Sequence, residues 1–222
     1  MSRTGYPERA REGFDDRRHA GRLLARQLTG LDLTDPVVFG LARGGVPVAA
    51  EVALALNAPL RVAVARKIGA PGQPELALGA VTADGPVSYD TRLLRAFHLD
   101  EHALEPDCAR ERAEARRRER LFHKGEDLPL AGRDVVLVDD GLATGATARA
   151  AVRMLRGAAP RSIVLAVPVG APDAVDALRR EADVVVCVLQ PVGFAAVGQW
   201  YRNFRATSDD EIFDVLHEVG TS

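Results

Sequence analysis

Short runs of uninterrupted apolar residues alternate along this chain with stretches whose apolar residues recur at helical spacing. PVVFGLA (36–42), LRVAVARKI (60–68), SIVLAVPVG (162–170) and ADVVVCVLQ (182–190) are runs of the first kind, and a further strand, loop and helix occupy 133–157. Runs of this length predict strands covered on both faces. FDDRRHAGRLLARQLTG (14–30) is of the second kind: Ala20, Leu23, Leu24 and Leu28 form its apolar face, Asp15 caps it and Gly30 ends it. The strand at 36–42 breaks at Gly44-Gly45 and leads into a helix over 46–56, and a helix over 172–181 separates the last two strands. The alternation predicts an α/β fold, a mostly parallel twisted sheet flanked by helices.

Three segments depart from that rhythm. GAPGQPELALG (69–79) is rich enough in glycine and proline to predict a long loop, and AVTADGPVSYD (80–90) predicts a hairpin turning at Asp84-Gly85. Residues 100–124 predict a charged helical insertion with Pro106 in its first turn and a thin apolar stripe of Leu104, Cys108, Ala115 and Phe122. It reads as a solvated helix lying over the core. Glutamates interrupt the basic run that contains Arg116, Arg117 and Arg118, which argues against a nucleic-acid contact there. The first dozen residues are polar and expected to be loose. No repeat and no linker divides the chain, so residues 1–222 are expected to form a single domain.

Composition narrows the function classes. A hydrophobic fraction of 47% in 222 residues is enough for a full core, and a formal net charge of -2 removes bulk attraction to nucleic acid. Two cysteines, Cys108 and Cys187, make no disulfide framework, and the five histidines show no metal-ligand spacing, so no zinc is expected. Arg3, Glu8, Arg9 and Arg11 stand where a signal peptide would need apolar residues, and no run approaches the roughly 20 apolar residues of a membrane span. The expected setting is cytoplasmic, with no membrane partner.

The chemistry concentrates in VVLVDDGLATGAT (135–147). An apolar strand ends in Asp139 and Asp140, and Gly141, Leu142, Ala143, Thr144, Gly145, Ala146 and Thr147 lead into a helix. Small residues let backbone N–H groups converge, the threonines add hydroxyls, and the helix presents its positive end, which together suit a phosphate. The loop has neither the Gly-Lys-Ser/Thr ending of a Walker A loop nor the dinucleotide GxGxxG. Two carboxylates accept hydrogen bonds only. Beside a phosphate they need hydroxyl donors or a cation. A 5-phosphorylated ribose supplies the diol, and Mg²⁺ would supply the cation.

This stretch closely resembles the phosphoribosyl-pyrophosphate motif of type I phosphoribosyltransferases. LARGGVP (41–47) is similar to that family's pyrophosphate loop, and ARK (65–67) resembles the basic end of its next core strand. The resemblance covers residues 35–190, and the pattern as far as AVGQWYRNF is similar to a bacterial subgroup, some of whose members are joined to hydrolase domains. It implies the family's sheet with a small hood, formed from 191–222 with N-terminal residues as a further contributor. It also implies displacement of pyrophosphate at ribose C1 by a nitrogen acceptor, expected to be a heterocycle resembling a nucleobase, with Mg²⁺ as cofactor. Asp139, Asp140 and Arg43 would be catalytic, with Mg²⁺ carried on the substrate and Asp139 or Asp140 the acid to meet it. Gly44, Gly45, Arg66 and Lys67 would grip pyrophosphate, and residues 141–147 the 5-phosphate. Trp200, Tyr201 and Phe204 would stack on a flat acceptor. Where 6-oxopurine members carry a base-facing aspartate in the loop, this chain has Ala143, which lowers the standing of hypoxanthine and guanine. A phosphoribosyl-pyrophosphate sensor and a phosphosugar hydrolase are the competing functions, and a homodimer is left open.

Overall fold

A computed structural model describes residues 13–122 and 128–220. The first dozen residues expected to be loose, residues 123–124 of the charged insertion and residues 221–222 of the expected hood lie outside the described residues. In chain order the elements are α1 (Arg17–Leu28), β1 (Val37–Leu41), α2 (Gly45–Leu56), β2 (Leu60–Ala63), β3 (Ala65–Ala70), β4 (Gln73–Thr82), β5 (Ser88–Tyr89), α3 (Thr91–Ala96), α4 (Glu105–Phe122), β6 (Asp134–Val138), α5 (Ala146–Arg156), β7 (Ser162–Val169), α6 (Pro172–Leu178), β8 (Val184–Leu189) and α7 (Asp209–Gly220).

Five strands form one parallel sheet in the order β2-β1-β6-β7-β8. Successive side chains of a strand point to opposite faces, and β6, buried at every position, divides accordingly. Val136 and Val138 pack with residues of α1, α2, α4 and α7, whereas Val135 and Leu137 pack with α5 and α6. Each such side chain contributes roughly 1.5–3 kcal/mol on burial, so helices on both faces are what an uninterrupted apolar strand requires.

The first position of β6 is the exception. Asp134 is fully buried, and its carboxylate accepts from Thr34 N (2.6 Å), Ser162 Oγ (2.6 Å) and the Arg161 guanidinium (2.5 and 2.9 Å). It ties the start of β6 to the start of β7 and to the turn before β1.

The structure corrects three expectations and adds one short helix. The run at 60–68 is two strands, not one: at Val64 the chain leaves the parallel sheet, and β3 pairs antiparallel with β4 in a separate three-stranded sheet, β3-β4-β5. An apolar run reports burial but not which sheet a strand joins. The expected loop at 69–79 is largely strand. Pro71-Gly72 forms a tight turn with Gly72 at φ 74°, and β4 returns along β3 from Gln73. Proline followed by a glycine of positive φ is turn chemistry, and here it joins strands without interrupting them for long. The cap of α1 is Asp16, whose carboxylate accepts from His19 N, while Asp15 pairs with Arg202. The short α3 went unpredicted because its six residues carry too little period.

The charged insertion lies as its stripe predicts. Leu104, Cys108, Ala115 and Phe122 are the positions turned inward, and Arg117 and Arg118 both pair with Glu114. Of the expected hood, Phe194, Val197, Trp200, Tyr201 and Phe204 pack with Phe14 and Val169 beyond the end of β7, while α7 lies on the flank against α2 through Ile212 and Val215.

Asp134 gives the fold an acid limit. Burial works to raise its pKa, but hydrogen bonds from Arg161, Ser162 and Thr34 outweigh that and hold it at about 2. A depressed folded-state pKa contributes stability that is present above the unfolded value and lost as pH falls through the folded one. The buried carboxylate is therefore expected to stabilise fully above pH ~4 and to lose roughly 1–2 kcal/mol between pH ~4 and ~2. Urea denaturation against pH checks this: Asp134→Asn should be less stable at pH 7 and show a flatter decline across that window. An unchanged slope would remove Asp134 as the cause.

Candidate active site

Strand order reverses between β1 and β6: from β1 the chain moves outward to β2, and from β6 it moves the other way to β7 and β8. The helices that follow these two strands, α2 and α5, cover opposite faces. The loops at the carboxyl ends of β1 and β6 therefore diverge and leave a crevice, the usual ligand position in an open α/β sheet. A cleft of about 850 Å³ opens there. Both α2 and α5 begin at it, so two sets of unpaired helix N–H groups face one space.

The cleft gathers most of the residues expected from sequence. Arg43 and Gly44 line it from β1, Arg66 and Lys67 from β3, and Asp139, Asp140, residues 141–145 and Thr147 from the β6 side. Gly45 and Ala146 stand just behind, in the first turns of α2 and α5. Tyr201 lies beneath the site and donates its hydroxyl to the Asp140 carbonyl at 2.6 Å. Trp200 is not brought to the cleft. Its backbone carbonyl accepts from Phe14 N, and Val197 and Phe204 are the residues of that segment that reach the cleft wall.

The paired acids are held differently. Asp139 Oδ1 accepts from the Asp140 backbone N–H at 2.8 Å. Asp140 Oδ2 accepts from Nε of Arg17 at 2.9 Å and forms an ion pair with Nη2 at 2.9 Å. Burial pushes the Asp139 pKa well above the carboxylate range, the Asp140 charge adds to the shift, and Lys67 and Arg17 oppose it. Burial also raises Asp140, against the opposing Arg17 charge. The pair is thus short of positive charge and of hydrogen-bond donors.

The glycines have a packing reason as well as a binding one. A Cβ on Gly44 would stand 2.0 Å from Asp140 Oδ2, and one on Gly45 would stand 2.5 Å from the Val138 carbonyl. The β1 loop lies directly against the acids. Gly145 starts α5 at φ 73°, a conformation open to glycine and strained for other residues. The loop between is pinned to the next strand by Leu142 N to Val169 O (2.9 Å) and Ala171 N to Leu142 O (2.8 Å). The cationic residues are turned aside: Arg66 pairs with Glu111 at 3.0 Å and Arg43 with Asp209 at 3.5 Å.

The phosphoribosyl transferase domain family matches this chain over residues 16–198. The chain belongs to that family. Within it, a Mycobacterium tuberculosis protein provisionally named as a phosphoribosyl transferase, present in strains H37Rv and CDC 1551, is 50% identical over 204 residues. That match covers 91% of this chain and 46% of the relative, so the chain spans about half the length of the curated relatives it matches. The crystal structure of TT1426 from Thermus thermophilus is similar over 93% of this chain and 98% of its own, at 47% identity and a TM-score of 0.77. The fold is that of the phosphoribosyl transferase family.

Sequence reading missed Arg17, which lies 123 positions from the acid it pairs with. A signal was present. Arg17 continues the inward stripe of α1, spaced four, three and four residues through Gly21, Leu24 and Leu28, all buried. An arginine on the buried face of a helix requires a buried acceptor. Asp107, Arg110 and Glu111 of α4 also line the cleft and were missed, because a solvated helix gives no hint of which neighbour it overhangs.

The raised Asp139 pKa carries a sign. A folded-state pKa above the unfolded value means stability present below pH ~4 and lost as pH rises through the folded value. At neutral pH the burial of the Asp139 carboxyl therefore costs the ligand-free protein stability. Asp139→Asn keeps an acceptor for the Asp140 N–H and removes the charge. It should raise the ligand-free Tm at pH 7 by roughly 2–4 °C per kcal/mol recovered, with the gain shrinking at pH 4. Differential scanning calorimetry at both pH values checks it, and a lower Tm at pH 7 would contradict the assignment.

Proposed function

We propose that this domain transfers the 5-phosphoribosyl group from phosphoribosyl pyrophosphate to a nitrogen of a heterocycle resembling a nucleobase, releasing pyrophosphate. One observation carries the reading: two glycine-bearing, helix-starting loops flank a half-buried carboxylate pair in one cleft, with Gly44 so close to Asp140 that a Cβ would fall 2.0 Å from its Oδ2. Two anion sites on either side of a diol acceptor match a ribose that carries a phosphate at one end and a pyrophosphate at the other.

The roles follow from position. The N–H groups of 141–147, the Thr144 and Thr147 hydroxyls and the start of α5 hold the 5-phosphate. Asp139 and Asp140 accept from the ribose hydroxyls. The N–H groups of Gly44 and Gly45, the start of α2, Arg43, Arg66 and Lys67 receive pyrophosphate. The C1–oxygen bond breaks with its electrons leaving on pyrophosphate, the acceptor nitrogen forms the new bond to C1, and the acceptor's proton leaves with solvent. Donors aimed at the departing oxygens supply the main electrostatic contribution. Arg43 and Arg66 must first exchange Asp209 and Glu111 for the ligand, a small cost for partly exposed pairs.

Among the described residues no group of three or more His, Cys, Asp or Glu is placed to hold a metal. Two under-neutralised acids beside a phosphate loop suit Mg²⁺ carried on the substrate, which takes most of its ligands from phosphate and water and one or two from carboxylates. Bound there, Mg²⁺ would neutralise charge on the leaving pyrophosphate. The acceptor side is walled by Val197 next to Gly141, with Ala143 offering no base-reading acid. The acceptor is therefore gripped by shape and apolar contact.

Phosphoribosyl pyrophosphate with Mg²⁺ should stabilise the fold, since a ligand bound only by the native state adds RT ln(1 + [L]/Kd). At about 100-fold above Kd the gain is roughly 2.7 kcal/mol, or roughly 5–10 °C for a chain of this size. Pyrophosphate release that requires a base, tested with a panel of nucleobases, identifies the transferase. Release without an acceptor would mark a hydrolase, and binding without turnover a sensor. No thermal shift at millimolar ligand would remove the proposal.

A further inference from the structure

We propose that Arg17 is a positioning residue for this reaction: from the first turn of α1 it fixes the Asp140 carboxylate against the pyrophosphate loop and leaves one carboxylate oxygen presented to the ribose. The inference rests on the phosphoribosyl-transfer reading and deepens it.

The Arg17 side chain is only 11% exposed and the Asp140 side chain 14%. Every edge of the guanidinium is engaged. Nε donates to Asp140 Oδ2 at 2.9 Å, Nη2 forms an ion pair with the same oxygen at 2.9 Å, and Nη1 donates to the Arg205 carbonyl at 2.7 Å. Its plane lies over Phe204, with the central carbon 4.0 Å from the ring centroid. Phe204 is itself confined by Tyr201, whose ring centroid is 5.0 Å away, and by Gly198, where a Cβ would stand 2.8 Å from the Phe204 ring. Tyr201 closes the circuit by donating to the Asp140 carbonyl at 2.6 Å. Asp140 is thereby gripped at both its carbonyl and its carboxylate.

The remaining freedom of the carboxylate is taken by Gly44, which leaves no space beyond Oδ2. The hydrogen bond and the ion-pair contact from Arg17 both fall on that one oxygen. Oδ1 accepts from no other described residue, and Asp140 lines the cleft, so Oδ1 is the oxygen available to a ribose hydroxyl. A merely structural staple between the N-terminal helix and the C-terminal segment would not need a carboxylate of the ligand cleft as its anchor. The Arg205 carbonyl and the Phe204 ring would serve that purpose alone.

The test is a double-mutant cycle on phosphoribosyl pyrophosphate binding with Mg²⁺, read by titration calorimetry, alongside ligand-free melts. Arg17→Met and Asp140→Asn should each weaken binding by roughly 10- to 100-fold. The double variant should bind no more weakly than the weaker single variant, since both remove one arrangement. Arg17→Lys, which keeps the charge with a less fixed geometry, should fall between Arg17→Met and the wild type. If Arg17→Met does not fold, Phe204→Leu replaces it in the cycle, because it removes only the ring beneath the guanidinium, and the same direction is expected. Binding by Arg17→Met equal to the wild type, or losses that add in the double variant, would overturn the proposal while leaving the function intact. A wild-type protein that binds no phosphoribosyl pyrophosphate would overturn the functional reading and this inference with it.

Discussion

Placing Asp139 and Asp140 side by side, largely out of water, works against folding, and one arginine offsets only part of that cost, since both pKa values remain raised with Arg17 against Asp140. The architecture supplies what the acids lack. The apolar β6 carries them to the end of the sheet, and its burial on both faces provides the favourable free energy. Arg17 reaches in from the first helix and Tyr201 from beyond the last strand. What stays unsatisfied is a need for hydrogen donors and positive charge at one point in a cleft. A native site that keeps such a deficit trades stability for the ligand that fills it.

The same constraint accounts for the neighbouring loop. With β1 paired directly to β6 in register from Val37 to Gly40, the chain leaving β1 has to pass across the acids. Only glycine fits there, because Gly44 meets Asp140 and Gly45 meets Val138. The Gly-Gly step is thus required before any ligand arrives, and the close backbone approach it would give the proposed pyrophosphate comes from the same geometry. The reversal of strand order between β1 and β6 then sends α2 and α5 to opposite faces and brings both helix starts to one cleft.

How much of this could be read in the sequence depended on the range of the signal. The strand–acid–loop–helix stretch at 135–147 and the Gly-Gly break after β1 are local patterns, and the structure brings both to one cleft. The inward stripe of the charged helix was also legible, since Leu104, Cys108, Ala115 and Phe122 repeat at helical spacing. The departures were those where composition stood in for geometry. Gly and Pro at 69–79 suggested a loop, although Pro71-Gly72 is one tight turn and the remainder pairs as strand. The aromatic segment gave no indication of which ring faces the ligand. A short 3-10 turn ends at Trp200 and Tyr201, and chain direction there places Phe204 and Val197 at the cleft instead. Arg17 was visible only as an arginine on an apolar stripe, and its partner is a product of tertiary structure.

Burial also sorts the arginines of the cleft by what each can do. Arg17 and Asp140 are 11% and 14% exposed and joined by a hydrogen bond and an ion-pair contact to one oxygen, so separating them would leave a largely buried charge unpaired. Arg43 and Asp209 are 40% and 38% exposed at 3.5 Å, and water compensates both when they part. Arg66 is intermediate, 33% exposed against a Glu111 that is 15% exposed. An anion entering between β1 and β3 can therefore recruit Arg43 at little cost and Arg66 at somewhat more, while Arg17 stays where it is. The site has one fixed cation that orients an acid and others that are free to exchange partners. The proposed transfer calls for that division, since groups that would hold the ribose must stay in place while groups that would receive pyrophosphate change partners.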